Sequence, residues 1–92
     1  MAAEDARFAA ADLVSWYDAG EELTLFDGAS REYFALNGSA AAIWRELAAG
    51  RGVGEVADAL ASRFDTGRPA ILADITAFVR AAIERNLLVS VA

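Results

Sequence analysis

The chain contains no cysteine, no histidine and no lysine, and its one proline is Pro69. Without cysteine there is no disulfide framework, no thiolate nucleophile and no zinc site of the usual Cys/His type. Without histidine the commonest general base at neutral pH is missing too. Cations are scarce: eight arginines stand against fourteen carboxylates, a formal net charge of −6. Such a surface repels phosphate backbones, so nonspecific nucleic-acid binding starts at a disadvantage. Long apolar runs are missing as well. The longest stretch without a charge, Tyr33 to Trp44, has 12 residues, and a membrane helix needs about 20. The acidic start, Met1-Ala2-Ala3-Glu4-Asp5, is unlike the basic head of a secretory signal. These features predict a cytoplasmic protein with no membrane partner.

What is present is apolar: 57% of the 92 residues, with about a quarter of the chain alanine. That length suits one domain with one core. Residues 1–11 read as a flexible lead-in and residues 12–92 as a single folded domain. Leu13 to Tyr17, Glu22 to Phe26 and Arg31 to Leu36 read as three strands with short connections, an antiparallel meander. Asp27-Gly28 is the strongest turn signal among them. In the third strand Phe34 and Leu36 share one face, Tyr33 and Ala35 the other.

The apolar period then changes from 2 to 3.6. Asn37-Gly38-Ser39 offers an N-cap to a helix over Ala40–Ala49, and Gly50-Arg51-Gly52 stops it. Val53, Val56, Ala57, Leu60 and Phe64 mark a second helix over Val53–Phe64. Pro69 opens a third, whose apolar arc runs through Ile71, Ile75, Phe78, Val79 and Ala82. Asn86 suits a left-handed stop, and Leu87 to Val91 is extended. The predicted fold class is α+β, a winged-helix-like domain with a three-stranded antiparallel sheet followed by three helices.

Most chemistry fails on spacing. Gly50, Gly52 and Gly54 give G-x-G-x-G after a helix with no lysine following, which is a helix junction rather than a phosphate loop. The carboxylates Asp18, Glu21, Glu22, Glu55 and Asp58 lack the alternation of a calcium loop, so neither a metal nor a cofactor is predicted. A helix-turn-helix in the second and third helices would need concentrated basic residues. Arg68, Arg80 and Arg85 are offset there by Asp74 and Glu84. A winged-helix DNA-binding protein and a structural subunit of a larger complex are the alternative readings.

The third strand would be a sheet edge, and Tyr33 to Leu36 carry no charge to protect it. That suits strand addition by a guest peptide. About four backbone hydrogen bonds at roughly 0.5–1.5 kcal/mol each barely offset roughly 2–5 kcal/mol for ordering the guest. Micromolar binding needs about 8 kcal/mol, so apolar anchors must enter a groove between this strand and the third helix. Tyr33, Ala35, Ile71, Ile75, Phe78 and Ala82 are its expected lining.

The stretch Tyr33-Phe34-Ala35-Leu36-Asn37-Gly38-Ser39-Ala40-Ala41-Ala42-Ile43-Trp44 resembles the "hydrophobic-x-Leu-Asn-x-(Ser/Thr)-Ala-x-x-Ile-Trp" signature of the PqqD family, the small domains called RiPP recognition elements. Gly50, Val53, Glu55, Val56 and Leu60 follow at the family's spacing, as do Asp74 and Phe78, then Leu87-Leu88. The likeness spans residues 12–90. Asn86 replaces a usual glycine, and Gly52 a usual Ser/Thr cap, which weakens the start of the second helix.

The resemblance implies a non-catalytic peptide chaperone. It would bind the leader region of a ribosomally made precursor peptide and present it to a modifying enzyme, a radical-SAM protein or a leader protease, in natural product biosynthesis. Arg31, Glu32, Tyr33, Phe34, Ala35 and Leu36 would pair antiparallel with the leader. Ile71, Asp74, Ile75, Phe78 and Ala82 would form the helix side. No catalytic residue is implied. A free strand edge permits a monomer or a weak homodimer.

Overall fold

Three helices form where the apolar period says they should. α1 (Gly38–Ala48) turns Ala41, Ala42, Ile43, Trp44 and Leu47 inward. α2 (Val53–Phe64) buries Val53, Val56, Ala57 and Leu60, and α3 (Arg68–Glu84) buries Ile71, Ile75, Val79 and Ala82. Asn37 takes the N-cap position of α1 in an extended conformation, without a side-chain cap bond. α3 ends in a left-handed Asn86 (φ 60°), where Leu87 N–H reaches back to the Ala82 carbonyl at 2.8 Å, the Schellman closure.

These helices pack with two small sheets in a computed structural model that describes residues 4–91. The fold is α+β. The meander consists of β2 (Val14–Ala19), β3 (Glu22–Asp27) and β4 (Glu32–Asn37), in the order β2-β3-β4. The turn between β3 and β4 spans residues 28–31. Asp27, 6% exposed, holds that turn by accepting from Ala29 N–H and Ser30 Oγ, each at 3.0 Å. Arg31 lies in the turn at φ 65° rather than in the strand.

The second sheet corrects the expected lead-in. Of residues 1–11, the first three lie outside the described residues. Arg7–Ala10 form β1, which pairs antiparallel with β5 (Leu88–Val91). Phe8 plugs into the core at 6% exposure. The segment just before β1 caps α2: the Ala6 carbonyl accepts Val53 N–H at 3.0 Å and the Glu4 carbonyl accepts Gly54 N–H at 2.7 Å. Gly52 N–H in turn donates to the Glu55 carboxylate at 2.8 Å. Two backbone carbonyls thus supply what a Ser or Thr at position 52 would otherwise give.

α1 is the hub. It packs on β1, β3 and β4 and against both other helices. Its Trp44, fully buried, meets Trp16 of β2 edge-on at 5.5 Å between ring centroids.

Candidate functional site

The hydrogen-bond direction of β4 follows from two bonds at the opposite corner of the sheet. Gly28 N–H donates to the Leu13 carbonyl at 2.9 Å, and Val14 N–H donates to Ala11 instead of to β3. Val14 opposes Asp27 in the register, so that pair is not hydrogen bonded. Antiparallel ladders alternate. Asp27, Leu25 and Leu23 therefore turn their backbone groups toward Glu32, Phe34 and Leu36 of β4. Arg31 N–H on the Asp27 carbonyl at 2.7 Å agrees with that direction. The N–H and C=O groups of Tyr33 and Ala35 consequently project from the free edge. Among the described residues no strand pairs with it.

Register also fixes the faces. Phe34 opposes Leu25 and Leu36 opposes Leu23; those leucines are buried, so Phe34 and Leu36 face the helices, both half-buried. Tyr33 and Ala35 point the other way, with Phe26 and Thr24. Tyr33 is 72% exposed, and its ring lies 4.8 Å from that of Phe26. The side chains of Tyr33 and Ala35 therefore do not line a groove against α3. Phe34 and Leu36 are the pair on the helix side of β4.

On α3, positions 71, 74, 75, 78 and 82 share one side, and Arg85, the C-cap residue, continues it. Ile75 has no exposed surface, and Ile71 and Ala82 are 6% and 5% exposed. These three belong to the core and fix the helix, and Ile71 also lines a cavity. Phe78 is half-buried, and Asp74 and Arg85 are exposed. The Arg85 guanidinium sits 5.5 Å from the centre of the Phe34 ring and so bridges α3 to β4.

Each end of this region opens into a cavity. One of about 570 Å³ lies among Leu13, Ser30, Glu32, Arg85 and Asn86. The other, about 200 Å³, lies where the helices converge past the end of β4, among Ser39, Ile43, Phe64, Thr66, Ile71 and Asp74. Ser39, Phe64 and Thr66 were not anticipated as site residues. Ser39 sits in the family signature, but Phe64 and Thr66 reach the site only through tertiary packing.

The far edge, β2, is encumbered. Arg45 Nε and Nη2 hold Asp18 at 2.7 and 2.8 Å, and Nη2 also donates to the Gly20 carbonyl. The hydrogen bond from Arg45, with Gly20 N–H adding to it, holds the Asp18 carboxyl below its ordinary value. Among the described residues, no three His, Cys, Asp or Glu side chains gather where they could hold a metal, and no helix is long and apolar enough to cross a membrane.

A small α+β domain with an open strand beside a half-buried aromatic and aliphatic surface is the class defined by this geometry. Residues 22–88 match the PqqD family, described as coenzyme PQQ synthesis protein D, and the chain belongs to that family. Two solved structures are similar. TbiB1 in complex with the TbiA(beta) leader peptide is 27% identical with a TM-score of 0.85, over 91% of this chain and 98% of that one. Lasso peptide synthetase B1 complexed with the leader peptide is 30% identical with a TM-score of 0.83, over 90% and 98%. No curated protein matches the chain.

Proposed function

We propose that this domain is a non-catalytic adaptor that binds the leader region of a precursor peptide as a fourth strand on β4. It then presents the remainder of that peptide to a modifying enzyme or leader protease. The observation that carries the proposal is the unpaired backbone of Tyr33 and Ala35, beside the half-buried Phe34 and Leu36, with the half-buried Phe78 on the same side of α3 as Arg85, which sits over Phe34. The leader peptides bound by the two similar structures support it. The outward groups of Tyr33 and Ala35 offer up to four hydrogen bonds at roughly 0.5–1.5 kcal/mol each. The rest of a micromolar affinity of about 8 kcal/mol comes from guest side chains closing over the exposed parts of Phe34, Leu36 and Phe78, at about 25 cal/mol per Å² covered. The acid–base chemistry is left to the partner.

Hydrogen exchange tests this directly, using synthetic leader segments from short reading frames encoded beside this chain. A bound leader slows exchange at the Tyr33 and Ala35 amides and along the Asp74–Arg85 side of α3. Protection confined to β1, β5 or the surface of α2 would remove the site from β4.

A further inference from the structure

The cavity past the end of β4 has a chemistry the strand edge does not explain. Its floor is apolar: Ile43, Leu60 and Ile71 are 3%, 1% and 6% exposed. Its rim is polar, formed by Ser39, Thr66 and Asp74, with the Phe64 ring as one wall. Thr66 Oγ1 donates to the Phe64 carbonyl at 3.0 Å. Among the described residues, neither the Ser39 hydroxyl nor the Asp74 carboxylate has a hydrogen-bond or ion-pair partner, although arginines occur nearby in the chain. Arg63 is stacked on Phe64 and lines the neighbouring cavity instead. Arg68 is held by Glu4 and Asp58 at 2.6 and 2.8 Å. At about 200 Å³ the space suits one side chain, being smaller than cavities that hold whole small molecules.

We infer that this cavity is a subsite for one long basic side chain of the guest, Lys or Arg. Its alkyl stem lies along Ile43 and Ile71, and its cation sits on the Asp74 carboxylate and the Ser39 hydroxyl. A stem with a charged head matches an apolar shaft with a carboxylate at its mouth. The net charge of −6 attracts such a guest at a distance. This rests on the strand-addition reading. In an antiparallel guest, the N-terminal end of the paired segment lies beside Asn37, where the chain enters α1 and the cavity opens. The subsite therefore selects for a basic residue at the N-terminal end of the recognised segment.

The test is selection of displayed short random peptides on the immobilised full chain, with anisotropy titrations of the winners. Asp74→Asn, Asp74→Arg and Ala35→Pro are compared with the unaltered protein, and circular dichroism verifies the fold of each. The expected result is Lys or Arg at one fixed position near the N-terminal end of the selected segment. Exchanging it for Glu weakens binding about fivefold to tenfold, Asp74→Asn removes the preference and Asp74→Arg reverses it toward Asp or Glu. Peptides that lose binding in Ala35→Pro but show no basic preference, or keep it in Asp74→Arg, overturn the subsite and leave the strand edge standing. Peptides indifferent to Ala35→Pro overturn both.

Discussion

Leu13 and Gly28, joined by a 2.9 Å backbone hydrogen bond at one corner of the meander, decide which groups of β4 are free two strands away. Because the ladder alternates, Tyr33 and Ala35 face outward and Phe34 faces β3. Proline at two neighbouring positions must therefore have different effects.

Ala35→Pro removes an outward N–H and spares the bonds to β3, as edge prolines do. The variant is expected to unfold within about 1 kcal/mol of the parent and to lose leader binding. Phe34→Pro breaks a ladder bond and deletes the ring beneath Arg85, with an expected cost of about 3 kcal/mol or more. Urea unfolding and peptide titration on both proteins check the pair; intact leader affinity in Ala35→Pro would sink strand addition at this edge.

Ile75 and Phe78 lie three positions apart, just under one turn of α3, but answer to different demands. Ile75 is fully buried, so Ile75→Ala is expected to cost about 2–5 kcal/mol of stability. Phe78 is half-buried, so its truncation costs less stability and weakens leader binding in the folded protein. A Phe78→Ala protein with unchanged affinity would take α3 out of the groove.

Removing residues 1–6 deletes the Glu4 and Ala6 carbonyls that cap α2. Two backbone donors lose their partners, and the expected loss is about 1–3 kcal/mol. Gly54→Ala tests the same contact from the other side. A Cβ there would come 3.0 Å from Glu4 Oε1 and 3.2 Å from the Glu4 carbonyl oxygen, so the cap must shift and offset the usual helical gain from alanine. If the truncated chain melts at the same denaturant concentration as the parent, the cap contributes nothing.

Asp18 and Glu4 give the acid limb of stability its direction. The Arg45 hydrogen bond lowers Asp18, and the hydrogen bond and charge of Arg68 lower Glu4. A carboxyl depressed in the folded state contributes stability above its unfolded pKa and loses that contribution as pH falls through the folded one. The chain is therefore expected to weaken below about pH 4, and Arg45→Met with Arg68→Met to flatten that slope. Both carboxylates are solvent-exposed, so the flattening shrinks in high salt. An unchanged slope in the double variant would assign the acid limb to other groups.

Much of the fold is legible in local signals. Asp27-Gly28 turns, the period changes at Asn37-Gly38, Pro69 stands in the first turn of α3, and Asn86 takes the left-handed conformation. β1 is not legible, because Arg7-Phe8-Ala9-Ala10 has little β preference and its partner lies at the other end of the chain. The faces of β4 were half legible. Alternation groups Phe34 with Leu36 and Tyr33 with Ala35, but only pairing with Leu25 and Leu23 says which group meets the helices. On α3 the period identifies a stripe without its depth, so Ile75 and Phe78 look alike in sequence.

The two edges of the meander set its valence. At β2, Val14 N–H is taken by Ala11 and Arg45 is fixed over Asp18 and Gly20, which leaves the backbone groups of Trp16 and Asp18 facing out between those contacts. At β4 the row stands open. A sheet receptive on both sides could pass strands head to tail and grow without limit. With the β2 row confined between those two contacts, saturating the chain with peptide is expected to end in a one-to-one complex instead of a fibre, and a second peptide bound per chain would place it on β2.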